Sequence, residues 1–160
     1  MKIFVVVGSQ YPFDRLVKAV DNWASNQSDV YITGQIGESN YQPKHMKFFE
    51  TLNVKDFNTC FSESDLIISH AGMGVILKSL MENKPIIVLP RRLEFNELTT
   101  DHQLATARAL YKMNYVNIAM DAEELINYLE KPDQILSKRK IGEFASDSLI
   151  HSLREFIEQS

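Results

Sequence analysis

The chain alternates short, unbroken apolar runs with segments whose apolar residues recur every three or four positions. Ile3-Phe4-Val5-Val6-Val7 contains no polar residue and ends at Gly8. A β-branched run of this kind predicts a strand covered on both faces. From Asp14 to Ser25, the residues Leu16, Val17, Val20 and Trp23 share one helical face, and Asp14 suits the N-cap or first turn. Val30–Thr33 predicts a second strand ending at Gly34, residues 34–43 a loop, and Met46–Leu52 a third strand. Val54 to Ser62 reads as a short helix and Leu66-Ile67-Ile68-Ser69 as a buried strand. A helix over Gly72 to Glu82 is stopped by Asn83 and Pro85. Ile86–Leu89 is the next strand, closed by Pro90. A long helix is expected from Thr99 to Lys112, with Thr99 or Thr100 as its cap. Val116-Asn117-Ile118 then predicts a strand, and Asp121 to Tyr128 a helix capped by Asp121. From Pro132 the chain reads as helical, with Leu149, Leu153, Phe156 and Ile157 as its apolar stripe.

Buried strands alternating with helices imply right-handed crossovers and a parallel sheet covered on both faces. Six strands suit an α/β fold with a doubly wound, Rossmann-like sheet, whose ligands bind at the carboxyl ends of the strands. The loops of interest are therefore 8–13, 34–43, 52–56, 70–74 and 90–96.

Composition narrows the class without naming a chemistry. A length of 160 residues predicts one domain with a real core. With 6 Gly and 5 Pro, the chain is neither collagen-like nor a disordered polymer. Cys60 is the sole cysteine, so disulfide scaffolding is excluded and a reducing cytosol is expected. The apolar run near the start is too short for a signal peptide, and no run approaches the roughly 18 residues of a spanning helix. Lys plus Arg is 17 and Asp plus Glu is 21, a formal charge of −4 that argues against general nucleic-acid binding.

The most informative stretch is Asp65-Leu-Ile-Ile-Ser-His70-Ala71-Gly72-Met73-Gly74. A strand ends, two glycines surround the turn, and a helix begins. Glycine admits close backbone approach, and a helix N-terminus presents free N–H groups and a positive dipole end, the physics of diphosphate binding. Gly8-Ser9-Gln10 forms a second such turn, which meets the first if their strands are central neighbours. His70 stands at the strand end, and the residues alone leave open a ligand contact or a structural hydrogen bond. Pro90-Arg91-Arg92-Leu93-Glu94-Phe95-Asn96-Glu97 mixes cations and carboxylates after a strand. Its arginines suit a phosphate leaving group and a carboxylate such as Glu94 suits a base, although a solvated charged loop has the same composition. Asp101-His102-Gln103 opens the long helix with two hydrogen-bonding side chains. No zinc spacing, G-x-S-x-G elbow or D-x-D triplet occurs, so no metal site is expected, and Cys60 reads as a packed apolar residue.

Asp65–Gly74, Lys84-Pro85-Ile-Ile-Val-Leu-Pro90, Thr100-Asp101-His102-Gln103 and the opening Val5-Val6-Val7-Gly8-Ser9-Gln10 together resemble the C-terminal, donor-binding half of family 28 glycosyltransferases. The likeness runs from the first strand to the long helix and weakens after Pro132. It is nearest to stand-alone small subunits: PssE-like exopolysaccharide proteins and the small catalytic subunit of the eukaryotic dolichol-linked UDP-GlcNAc transferase. The resemblance implies a single donor-nucleotide-binding domain over residues 1–160, the C-terminal half of a GT-B enzyme. It implies a UDP-sugar donor, a lipid-linked acceptor, inversion at the anomeric carbon, and no cofactor or metal. It places Gly8, Ser9, Ala71, Gly72, Met73 and Gly74 around the diphosphate, with Arg91 and Arg92 assisting. Backbone near Val54 faces the base, and His102 and Gln103 face the sugar. His70 and Glu94 are the in-chain catalytic candidates, and a membrane-anchored partner subunit supplies the acceptor half and recruits the chain to the cytoplasmic face of a membrane. One departure stands out. MurG-type members carry a ribose-binding Glu on the helix after the glycine turn, where this chain has Lys78, which has no acceptor to offer. A non-catalytic nucleotide-sugar-binding or scaffolding module is the alternative from a different class.

Overall fold

The computed structural model describes residues 1–8, 11–135 and 141. In chain order the elements are β1 (Lys2–Val6), α1 (Asp14–Ala24), β2 (Tyr31–Gln35), β3 (Lys47–Phe49), α2 (Val54–Glu63), β4 (Leu66–Ser69), α3 (Met73–Met81), β5 (Ile86–Val88), α4 (His102–Lys112), β6 (Asn117–Ile118) and α5 (Ala122–Leu129). The strands form one parallel sheet in the order β3-β2-β1-β4-β5-β6. The order reverses between β1 and β4, which places a topological switch point between the two glycine turns.

Alternation along the strands splits the core in two. Ile3, Val5, Val7, Ile68 and Ile87 face one layer with Leu16, Val17 and Val20 of α1 and Leu125 of α5. Phe4, Val6, Ile67, Ile86 and Val88 face the other with Phe61 of α2, Ile76 and Leu80 of α3 and Ala107 of α4. Covering on both faces is why these strands carry no polar residues until their ends.

Local departures from the sequence expectation have local causes. Gly34 lies inside β2, opposite Val5, and Met46 fills the space its side chain would take, so residues 34 and 35 belong to the strand. The third strand is shorter than 46–52, spanning Lys47–Phe49. Phe13 occupies the N-cap of α1, which puts Asp14 in the first turn. The long helix starts at His102 and not at Thr99, with Asp101 at its N-cap. Thr100 Oγ1 is paired with His102 Nδ1 at 2.5 Å, and Asp101 Oδ1 accepts from Leu93 N–H at 2.8 Å, so no side chain caps α4. Asp121 does cap α5 by accepting from Glu124 N–H at 2.8 Å. Beyond a 3-10 turn at Pro132–Gln134, the apolar stripe expected at Leu149 to Ile157 lies outside the described residues.

Candidate functional site

Parallel pairing sets Val6 opposite Ser69, which brings Gly8 and His70 together just past the strand ends. Gly8 has φ +77°, a left-handed conformation that glycine adopts without cost. The His70 ring is wedged between the two turns. A Cβ on Gly8 would stand 2.9 Å from His70 Cε1, and one on Gly72 would overlap His70 Nε2. His70 Nδ1 lies 3.4 Å from both the Val6 carbonyl and Ser69 Oγ, while Ser69 Oγ itself donates to the Val6 carbonyl at 3.0 Å. The carbonyl only accepts, so the network assigns the proton to Nδ1 and leaves Nε2 as an acceptor. Burial, reinforced by the Arg91 charge and opposed by the Val6 carbonyl, pushes the ring pKa down to about 4. His70 is therefore a neutral hydrogen-bonding group at pH 7.

At the neighbouring turn, Gly72 is the N-cap of α3, and among the described residues no side chain caps the helix. The first intrahelical bond runs from Ile76 N–H to the Gly72 carbonyl at 3.2 Å. The N–H groups of Met73, Gly74 and Val75 therefore point out of the helix end without an intrahelical acceptor. A Cβ on Gly74 would meet nothing within 4 Å, and Met73 is exposed. Ala71 differs, since it is buried and its N–H donates to Gln103 Oε1 at 3.2 Å.

Gln103 ties two loops together. Its Oε1 also accepts from Arg91 N–H at 3.2 Å, and two backbone donors fix the amide orientation. Gln103 lines a cavity of about 210 Å³ with Val7, Gly8, Tyr11, His70, Arg91 and Leu98. His102 does not line it and stays exposed against Thr100. A larger cleft of about 410 Å³ opens beside β6 between Tyr111, Tyr128 and Lys131, and contains none of the residues marked by the sequence.

The charged segment after β5 has a geometry different from the expected phosphate cradle. Arg91 is 2% exposed, and its terminal nitrogens donate to carbonyls of Val7, Tyr11, Pro12 and Glu97. Arg92 pairs with the exposed Glu94 at 2.8 Å, and Glu94 lies outside the cavity. The buried carboxylate is Glu97, gripped by Arg15 Nε and Nη2 at 2.9 Å each and accepting from Arg92 N–H at 3.0 Å. The sequence does not mark Arg15 or Leu98, and it does not single out Tyr11 and Glu97 within their loops, because Arg15 meets Glu97 82 residues away and Tyr11 meets Arg91 80 residues away.

Two expected positions sit apart from the cavity. Val54 opens α2 and is 78% exposed, below an Asn53 cap that accepts from Asp56 N–H. Lys78 reaches Glu82 one turn along α3 at 2.5 Å and lies 4.9 Å above the Phe61 ring. Cys60 packs half-buried beside the α2–α4 layer, where burial pushes its thiol pKa up. Ser9 is outside the described residues.

Comparison with known proteins places this geometry in a family. Residues 2–158 match the glycosyltransferase family 28 C-terminal domain. The "UDP-N-acetylglucosamine transferase subunit ALG13" of Cryptococcus neoformans is 44% identical over 77 residues, covering 46% of this chain and 36% of that protein. The chain thus spans about a third of that curated relative. Among solved structures, MurG of Acinetobacter baumannii superposes with a TM-score of 0.58 at 20% identity, covering 84% of this chain and 42% of that one. The solution structure of ALG13 gives 0.57 at 21% identity, covering 95% and 94%. At such identities the likeness is one of fold, and the fold is that of a GT-B half. With a six-stranded parallel sheet, paired glycine turns at its switch point and a family match over nearly its whole length, the chain belongs to the glycosyltransferase family 28 C-terminal domain family.

Proposed function

We propose that the chain binds a UDP-sugar across its paired turns and forms the donor half of an inverting glycosyltransferase. The observation that carries this reading is the N-terminus of α3, whose first three N–H groups no side chain among the described residues caps, with no described atom within 4 Å of a Cβ at Gly74. Such an end favours a diphosphate through its N–H groups and dipole. As the sugar leaves, the anomeric carbon becomes oxocarbenium-like and negative charge grows on the departing UDP. The N–H groups of Met73, Gly74 and Val75 stabilise that charge from a fixed position. His70 and Gln103 supply neutral hydrogen bonds in the adjoining cavity.

The name of the Cryptococcus relative, a transferase subunit, supports a uridine nucleotide and a second polypeptide. The partner provides a lipid-linked acceptor site and attachment to the cytoplasmic face of a membrane, as in exopolysaccharide or glycan synthesis. Glu94 is exposed and paired with Arg92, so the general base is assigned to the partner half. Among the described residues no helix is long and apolar enough to cross a membrane.

Calorimetry with UDP, GDP and ADP tests the nucleotide. UDP is expected to bind most tightly, and preference for ADP or GDP overturns the assignment. Co-expression with a membrane-anchored partner is expected to produce transfer that the chain lacks alone. Full turnover by the purified chain overturns the two-subunit reading.

A further inference from the structure

The proposed donor site leaves one buried cation without a role. The Arg91 Nη2 donates to the Val7 and Tyr11 carbonyls at 2.5 and 2.6 Å, and Nη1 to those of Pro12 and Glu97 at 2.8 and 3.4 Å. Val7 lies before the β1–α1 turn, and Tyr11 and Pro12 lie after it. Four terminal N–H groups thus meet four carbonyls, and the fork has no terminal donor left. Its flat face covers the Phe13 ring at 4.8 Å, and Arg15 approaches the same ring at 5.2 Å. Arg15 in turn grips Glu97 with two nitrogens and donates to the Pro90 carbonyl at 2.9 Å. Two guanidiniums and one carboxylate therefore bind the turn after β1 to the segment after β5.

We infer that Arg91, braced by Arg15 and Glu97, is a positioning residue of the donor site, clamping both ends of the β1–α1 turn without touching the donor's phosphates. The inference rests on the proposed function and deepens it. The clamp sets Gly8 against His70 and holds Tyr11 at the cavity. Lysine cannot replace it, since an ammonium has three donors around a point and no planar fork. Removing the guanidinium strands two buried carbonyls, of Val7 and Glu97, and two partly buried ones at once.

The decisive measurement follows ¹⁵N-labelled full-length chain by NMR as UDP is added. The amides of Gly74 and Val75 are expected to shift, while the Arg91 guanidinium N–H signals hold their positions and stay protected from exchange. Shifts at Arg91 as large as those at Gly74 overturn the inference and leave the function intact. If UDP shifts no signal, the proposed function fails and the inference falls with it. Affinities of Arg91→Lys and Arg91→Gln for UDP at two ionic strengths supply a second readout. A clamp predicts equal losses of about tenfold or more, with the salt dependence of wild type. A direct phosphate ligand predicts that lysine retains most of the affinity and that glutamine flattens the salt dependence, and this result overturns the inference. Glu97→Gln is a milder variant that keeps an acceptor for Arg15. It is expected to lose part of the UDP affinity at unchanged salt dependence, and undiminished affinity counts against the clamp.

Discussion

The turn after β1 and the turn after β4 lie on neighbouring strands, both carry glycine, and both lead into a helix. They differ in what their backbone groups do. In the first, the Val7, Tyr11 and Pro12 carbonyls are held by one arginine, and Gly8 makes room for the His70 ring. In the second, Gly72 makes room for the same ring, while a Cβ at Gly74 would meet no described atom and the N–H groups around it have no intrahelical acceptor. The described ends of the first turn are held by the protein itself, and the second turn presents its N–H groups to a ligand. Glycine thus serves side-chain packing at two positions and access at a third, and each use fails in its own way when a methyl group is added.

The largest effects are expected where the ring is wedged. Gly8→Ala combines a left-handed φ, costing about 1–2 kcal/mol for an L-residue, with overpacking against His70 at about 1–3 kcal/mol. Gly72→Ala, at φ −83°, carries only the clash. Urea unfolding should show a loss of about 2–5 kcal/mol for the first, and a loss for the second that comes wholly from its tighter overlap with the ring. The comparison is sharpened by His70→Ala, which should rescue much of the Gly72→Ala loss and little of the backbone part of Gly8→Ala. Equal losses in the presence and absence of the His70 ring would sink the account of why these positions are glycine.

The same residues show how far the sequence can be read. The unbroken run Ile3–Val7 and the run Leu66–Ser69 announce buried parallel strands, because only a sheet covered on both faces tolerates such a pattern. The paired glycine turns follow from those strands being neighbours. Which glycine is open does not follow, since Gly72 and Gly74 look alike until the direction of the His70 ring is known. Arg91 is harder still. Three of its four carbonyl partners are 79 to 84 residues away, so a buried clamp and a solvated charged loop share one local signature. The start of α4 escapes the sequence for a related reason, because Thr100 and Asp101 satisfy His102 and Leu93 instead of capping the helix.

Protonating the wedged ring probes the closed side. His70 titrates near 4 in the folded chain and near 6.5 when unfolded. The unfolded state therefore binds more protons between these values, and stability falls as pH drops from about 6.5 to about 4. The shift corresponds to on the order of 3 kcal/mol. Relative to His70→Asn, wild type should lose most of that amount in urea titrations at pH 7, 5.5 and 4.5. Parallel curves for the two proteins would show that the ring is not held neutral. Asp21 does not confuse the window. Burial raises its pKa, but hydrogen bonds from Lys44 N–H, His45 N–H and Tyr41 outweigh burial and hold the carboxyl below the usual carboxylate range, so its own loss of stability falls at the acid side of the window. Gln103→Ala is expected to cost about 2 kcal/mol, since the Ala71 and Arg91 N–H groups lose their shared acceptor. Gln103→Glu keeps an acceptor for both and should cost less, and the reverse ranking in urea would show that this bridge does not hold the two loops.

Gly74→Ala has the smallest effect on stability and separates the two turns most directly. The position lies in the first turn of α3 with space around it, so alanine should be neutral or stabilise by about 0.5 kcal/mol through helix propensity. Its methyl group would stand where a diphosphate must approach the Gly74 N–H. UDP affinity should therefore fall about tenfold, as expected for losing a hydrogen bond to a charged group, while unfolding shifts slightly in the favourable direction. A variant that is more stable and binds more weakly cannot be explained by damage to the fold. If Gly74→Ala leaves UDP affinity unchanged, the open turn is not where the diphosphate sits. If it destabilises the chain as Gly72→Ala does, the contrast between a packed glycine and an accessible one is lost.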